Sequence, residues 1–214
     1  MEKNYLKIIF VIDESGSMQG SERDVIGGFN NFVEKQKNEN YGKIDVSLYK
    51  FNDQVNCVIN NQPASEVRKL TLKDYNPNNF TALYDAVGKA IHETDKQIEF
   101  IPEAERPNKV MMVIITDGEE NASKEYSGAA IRSIISSHEK LMGWNFIFLG
   151  SGLDNFVDAD IMGTRYRANT SKNQFAAAME TVSDYSLRFR AANKKDEKSV
   201  LEDLMDNLNK MDDK

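Results

Sequence analysis

Ile8-Ile9-Phe10-Val11-Ile12-Asp13-Glu14-Ser15-Gly16-Ser17 is the stretch that decides the fold. Five unbroken apolar residues suit a strand buried on both faces, and the carboxylate, hydroxyls and glycine after them suit a tight turn into a helix. The same form recurs at Val110-Met111-Met112-Val113-Ile114-Ile115, which ends at Thr116-Asp117, and at Phe146-Ile147-Phe148-Leu149, which ends at Gly150. Between these runs lie helical patterns at about residues 22–38, 82–98, 127–140 and 172–190, with Val25, Phe29, Phe32 and Val33 at helical spacing. Buried strands alternating with amphipathic helices predict a three-layer, doubly wound α/β fold: a mostly parallel central sheet with helices on both faces.

Lys43 to Ile59 reads differently. Ile44, Val46 and Leu48, then Val55, Cys57 and Ile59, alternate with polar residues on either side of Asn52-Asp53, which predicts one antiparallel hairpin at the sheet edge. Tyr166 and its neighbours supply a last short strand. The expected division is a domain over 1–190 and, over 191–214, a charged linker (Lys194, Lys195, Asp196, Glu197, Lys198) followed by an amphipathic helix. That helix carries Val200, Leu201, Leu204, Met205, Leu208 and Met211. Such a stripe either folds back on the domain or docks a partner.

The composition excludes several classes. With 27 Lys+Arg against 34 Asp+Glu, the net charge of −7 argues against a general affinity for nucleic acid or an anionic membrane. No apolar stretch approaches the roughly 20 residues of a membrane span, and the charge interleaved from Met1 to Lys7 does not suit a secretory leader. A single cysteine, Cys57, makes no internal disulfide and is expected to be a packing residue. A cytoplasmic location is the expectation.

The chemistry gathers at strand ends. In an open α/β sheet, ligands bind outside the carboxyl ends of the strands. Asp13, Ser15 and Ser17 alternate along one tight loop there, Thr81 stands at a helix start, and Asp117 follows a buried strand. Carboxylate and hydroxyl oxygens of this kind suit a hard cation such as Mg²⁺ rather than zinc.

These residues resemble the metal-ion-dependent adhesion site of the von Willebrand factor A family: Asp-x-Ser-x-Ser at 13–17, then a distant Thr and a distant Asp, with Thr116-Asp117-Gly118 adding to the likeness. The likeness spans about residues 5–190 and extends to small stand-alone bacterial and phage proteins. It implies a metal held by Ser15, Ser17 and Thr81, with Asp13 and Asp117 in or just behind the ligand shell. The metal would be Mg²⁺, with Mn²⁺ or Ca²⁺ as substitutes, and it would accept an Asp or Glu carboxylate from a protein partner. An AAA+ ATPase, an operon-encoded kinase or phosphatase, or a host protein is the kind of partner implied, in an intracellular adaptor or regulator. Many relatives carry glycines where this chain has Asn79-Phe80. Asn tolerates the left-handed backbone such a loop needs, and Phe80 is read either as an exposed contact or as packing beneath the loop. Glu14, Glu119 and Glu120 are expected to form a solvated rim.

An enzyme is not the expectation. A phosphotransferase would want a second carboxylate where Ser15 stands. His92 and His138 fall in helical patterns, and no phosphate-binding glycine loop appears. Assembly through the C-terminal helix and metal-dependent phosphoester hydrolysis are the alternatives.

Overall fold

The computed structural model describes residues 4–37, 42–150, 155–171 and 173–212. Six strands, β1 (Tyr5–Asp13), β2 (Lys43–Phe51), β3 (Val55–Pro63), β4 (Lys109–Thr116), β5 (Asn145–Gly150) and β6 (Tyr166–Asn169), form one sheet in the order β3-β2-β1-β4-β5-β6. Only β2 and β3 pair antiparallel, at one edge. Helices α1 (Glu22–Lys37), α5 (Phe175–Ala191) and α6 (Glu197–Asp212) cover one face, and α2 (Leu83–Glu99), α3 (Gly128–Ser137) and α4 (Asn155–Met162) the other.

The alternation along β1 shows why a strand so apolar is stable here. Leu6, Ile8, Phe10 and Ile12 enter the core with α1 and α5, while Ile9 and Val11 enter the core with α2 and α3. Phe10 meets the rings of Phe29 and Phe32 edge-on, at centroid distances of 5.4 and 4.9 Å. Helix α1 is oriented by charge as well as packing, with Glu22 and Asp24 in its first turn and Lys35 and Lys37 in its last.

Three details depart from the sequence pattern. Helix α4 fills a stretch that showed no helical periodicity. Strand β3 runs on to Pro63, and its register against β2 shifts around Leu48, which pairs with Ile59 while Tyr49 pairs with Cys57. That bulge breaks the alternation expected of Val55, Cys57 and Ile59. Ile59 is buried but Cys57 is exposed, so it is not the packing residue expected. The C-terminal stripe folds back: Val200, Leu201, Leu204 and Leu208 are buried in the core beside α5 and β6. The Met211 side chain lies outside the described residues.

The register sets the site. Ile12 pairs with Ile115 and Asp13 with Phe51, so β1, β2 and β4 end level with one another. The chain leaves β1 for β2 on one side and reaches β4 on the other, which places the switch point of the sheet at β1.

Candidate functional site

Three loops meet above the carboxyl ends of β1 and β4. Backbone bonds join the first two: Gly16 N–H donates to the Asn79 carbonyl (3.1 Å) and Asn78 N–H to the Glu14 carbonyl (2.9 Å). Asn121 joins the third, its side-chain oxygen accepting from Thr81 N–H at 2.9 Å while its own N–H donates to the Thr81 carbonyl at 3.0 Å. Asn79 takes a left-handed conformation at φ 62°, the tolerance the sequence pointed to at this position.

All five residues singled out in the sequence come to this place. A methyl carbon built on Gly118 would lie 2.9 Å from Ser17 Oγ, 2.9 Å from Thr81 Oγ1 and 3.4 Å from Asp13 Oδ2, so oxygens from the first two loops face one point over this glycine of the third. Ser15 Oγ is 2.9 Å from Ser17 Oγ. Asp117 directly precedes Gly118, and both its carboxylate oxygens are shielded from solvent. Ser15 and Thr81 are buried while Ser17 is exposed, so the cup opens on one side.

Asp13 is fully buried. Its Oδ1 accepts from Ser15 N–H (2.7 Å) and its Oδ2 from the Thr116 hydroxyl (2.6 Å). Burial pushes its carboxyl up to about 6; the bonds from Thr116 and Ser15 pull the other way, and the nearby charge of Asp117 adds to the rise. Two carboxylates brought together away from water repel one another unless a cation joins them. Among the described residues no group of three His, Cys, Asp or Glu is arranged to hold a metal. The donors here are hydroxyls and carboxylates together, a set suited to a hard divalent ion.

The acidic neighbours divide. Glu119 is exposed, as a rim residue should be. Glu14 is buried instead, paired with Lys50 Nζ at 2.7 Å and accepting from Asn76 N–H at 2.5 Å. Glu120 is tied down as well, accepting from Ala122 and Ser123 N–H (2.9 and 2.7 Å) and from Tyr84 N–H (3.0 Å) in the first turn of α2. The two are struts of the loops rather than a solvated rim, because both carboxylates meet backbone N–H groups the loops would otherwise leave open. Thr116, Glu120 and Asn121 therefore belong to the site's support. The clue in the sequence was their position beside Asp117, where polar residues follow directly on a buried strand.

The cup of hydroxyls and carboxylates thus lies at the switch point of an open α/β sheet, the place where such sheets bind their ligands. The family model for the von Willebrand factor type A domain matches residues 7–178, and the chain belongs to that family. A search of curated protein sequences finds no match. Among solved structures, the chain is similar to proximal thread matrix protein 1 from the mussel byssus, at 17% identity and a TM-score of 0.60 over 86% of this chain and 47% of that one. It is also similar to the pilus adhesin SpaC of Lactobacillus rhamnosus GG, at 15% identity and a TM-score of 0.63 over 88% of this chain and 30% of that one. A manganese-loaded Plasmodium vivax TRAP protein is similar at 13% identity and a TM-score of 0.54, over 81% of this chain and 71% of that one. The chain thus spans about half the length of the first of these or less of the second, and the likeness is one of fold.

Proposed function

We propose that the chain is a protein-binding module that captures an Asp or Glu side chain of its partner through a divalent cation, Mg²⁺ by the hardness of the donors. Ser15, Ser17 and Thr81 would hold the ion with their hydroxyls, and Asp13 and Asp117 would balance its charge. The observation that carries this reading is the convergence of Ser17, Thr81 and Asp13 oxygens over Gly118, in a space that any side chain at that position would fill. When bound, the cation supplies a coordination position open to a carboxylate.

The chain's own residues do the rest. Thr116 and the Ser15 amide fix both oxygens of Asp13, so that the carboxylate is oriented before any ligand arrives. Neutral hydroxyls among the donors leave positive charge on the ion for an incoming anion. A binding rather than catalytic role is favoured by where the histidines lie. His138 bonds Asp95 on α2 and the Ile134 carbonyl, and His92 is exposed on α2, so neither is offered to the cup as a base. The alternative of assembly through α6 loses its surface, since Val200, Leu201, Leu204 and Leu208 are buried in the domain itself.

The test uses the full chain against a phage-displayed random peptide library in Mg²⁺. Recovered peptides should share an Asp or Glu, lose binding when it becomes Asn or Gln, and be released by EDTA and by Asp13→Ala with circular dichroism unchanged. Capture that survives both EDTA and Asp13→Ala would contradict the reading.

A further inference from the structure

Phe80 stands in solvent, 67% exposed, immediately before Thr81. An exposed phenylalanine on a loose loop would carry little meaning, but this loop is fixed from three sides. Asn79 Nδ2 donates to Asp53 Oδ1 (3.0 Å), Asn52 Nδ2 to Asn78 Oδ1 (2.8 Å), and Ala82 N–H to the Asn52 carbonyl (2.7 Å), so the β2–β3 turn braces it. Gly16 holds the Asn79 carbonyl and Asn121 holds Thr81 on either side of Phe80. Asn79 at φ 62° reverses the chain just before Phe80, a conformation that asparagine adopts far more readily than β-branched residues. The backbone is thus pinned at 78, 79, 81 and 82 while the residue between them is left exposed.

Resting on the metal-site reading above, we propose that Phe80 is the specificity-determining contact of the site. The ligand it selects is a peptide segment in which a bulky apolar side chain directly adjoins the Asp or Glu offered to the cation. A rigidly presented aromatic ring loses little conformational freedom on binding, which is why such residues dominate interface energies. Phe80 directly precedes the cup residue Thr81 in the chain, so the ligand position it is assigned is the one that adjoins the carboxylate. The charge around the cup sets the same limit on the partner: exposed Glu119 follows Gly118 directly, so a run of acidic residues is repelled where a single carboxylate with an apolar neighbour is not.

The peptides recovered from the library in Mg²⁺ provide the test. Expected is enrichment of Leu, Ile, Met, Val or Phe next to the essential Asp or Glu. Changing that apolar residue to Ser should weaken binding roughly tenfold on the natural chain, in line with burial of one apolar side chain. On Phe80→Ser the peptide change should cost nothing further, because the two groups form one contact. Because the ring is exposed, Phe80→Ser should fold normally and bind Mn²⁺, followed by its EPR signal, as the natural chain does. Acidic peptides without apolar enrichment, or unchanged peptide affinity in Phe80→Ser with Mn²⁺ binding intact, would overturn the role of Phe80 alone. Failure of the natural chain to bind Mn²⁺ would overturn the metal reading and this inference with it.

Discussion

The two ends of the sheet treat buried charge in opposite ways. At the amino ends of the strands, the buried Lys109, Lys7 and Asp45 each bond to groups of the fold. Lys109 Nζ donates to the Phe189, Arg190 and Ala192 carbonyls, closing the last turn of α5, and pairs with Glu197 at the start of α6 at 3.3 Å. Lys7 donates to Asn61 and Gln97, and Asp45 accepts from the Tyr5 hydroxyl and pairs with Lys43. At the carboxyl ends, Asp13 is equally buried, yet its bonds come from a hydroxyl and an amide, and the like charge of Asp117 acts on it. Lys109 and Asp45 meet opposite charges within the fold, whereas Asp13 and Asp117 form a negative cup that a cation would complete. Natural chains keep such unfavourable arrangements where binding depends on them.

The largest effect is expected where α6 packs on the domain. Leu204 is fully buried against α5 and β6. Leu204→Ala should cost about 2–5 kcal/mol of stability, as core truncations do, measured by urea unfolding, while cation binding by the folded fraction is unchanged. A loss under about 0.5 kcal/mol, the size of a surface substitution, would show α6 to be an ornament of the domain.

The open end should respond with the opposite sign. Asp13→Asn keeps the shape of the side chain and removes the repulsion with Asp117. In EDTA its melting temperature should equal or exceed that of the natural chain, and added Mg²⁺ should raise the melting temperature of the natural chain alone. Destabilisation of Asp13→Asn in EDTA as large as that of Leu204→Ala would place the carboxylate among the struts of the fold.

A smaller effect sharpens the closed end. His138 packs on Trp144 with centroids 4.7 Å apart, and its two ring nitrogens bond the Ile134 carbonyl at 2.8 Å and Asp95 at 3.0 Å. Burial alone would lower its pKa, but the bonds to Asp95 and Ile134 outweigh it and the net shift is upward from 6.5. Both bonds need a donating N–H, so the imidazolium satisfies them best. A raised folded pKa stabilises below the unfolded value and is lost as pH rises through the folded value. Melting temperature should therefore fall from about pH 6.5 upward, and Asp95→Asn should flatten that dependence. An identical slope in both chains would remove His138 from the account.

Much of this contrast was legible in the sequence because buried parallel strands are written as continuous apolar runs and their ends as sharp changes to Asp, Ser and Thr. Asp13, Ser15, Ser17, Thr81 and Asp117 could be singled out since hard oxygen donors at strand ends have few other uses together. What escaped was set by three-dimensional accidents of register and pairing. The bulge around Leu48 sends Ile59 to the core beside α1 and α5 while Val55 stays with that beside α2, and nothing local in Asn56-Cys57-Val58 announces it or the exposure of Cys57 on this edge strand. Helix α4 forms although its apolar residues lack a helical stripe, with Ala159 and Met162 buried while Val157 and Ile161 remain exposed. Glu14 and Glu120 read as surface charges because a carboxylate beside a loop looks the same in sequence whether it meets water or backbone N–H groups.

If cations bind this protein at all, the space over Gly118 is where they do so. Mn²⁺ titrated into the full chain and followed by EPR tests it directly, with Gly118→Ala as the variant and Gly27→Ala as its control. The added methyl at 118 would press on Ser17 Oγ and Thr81 Oγ1 at 2.9 Å, whereas at Gly27 it meets nothing within 4 Å. The natural chain and Gly27→Ala should each show one saturable site, weakened at least tenfold in Gly118→Ala with the fold retained. Equal Mn²⁺ affinity in all three chains would contradict it.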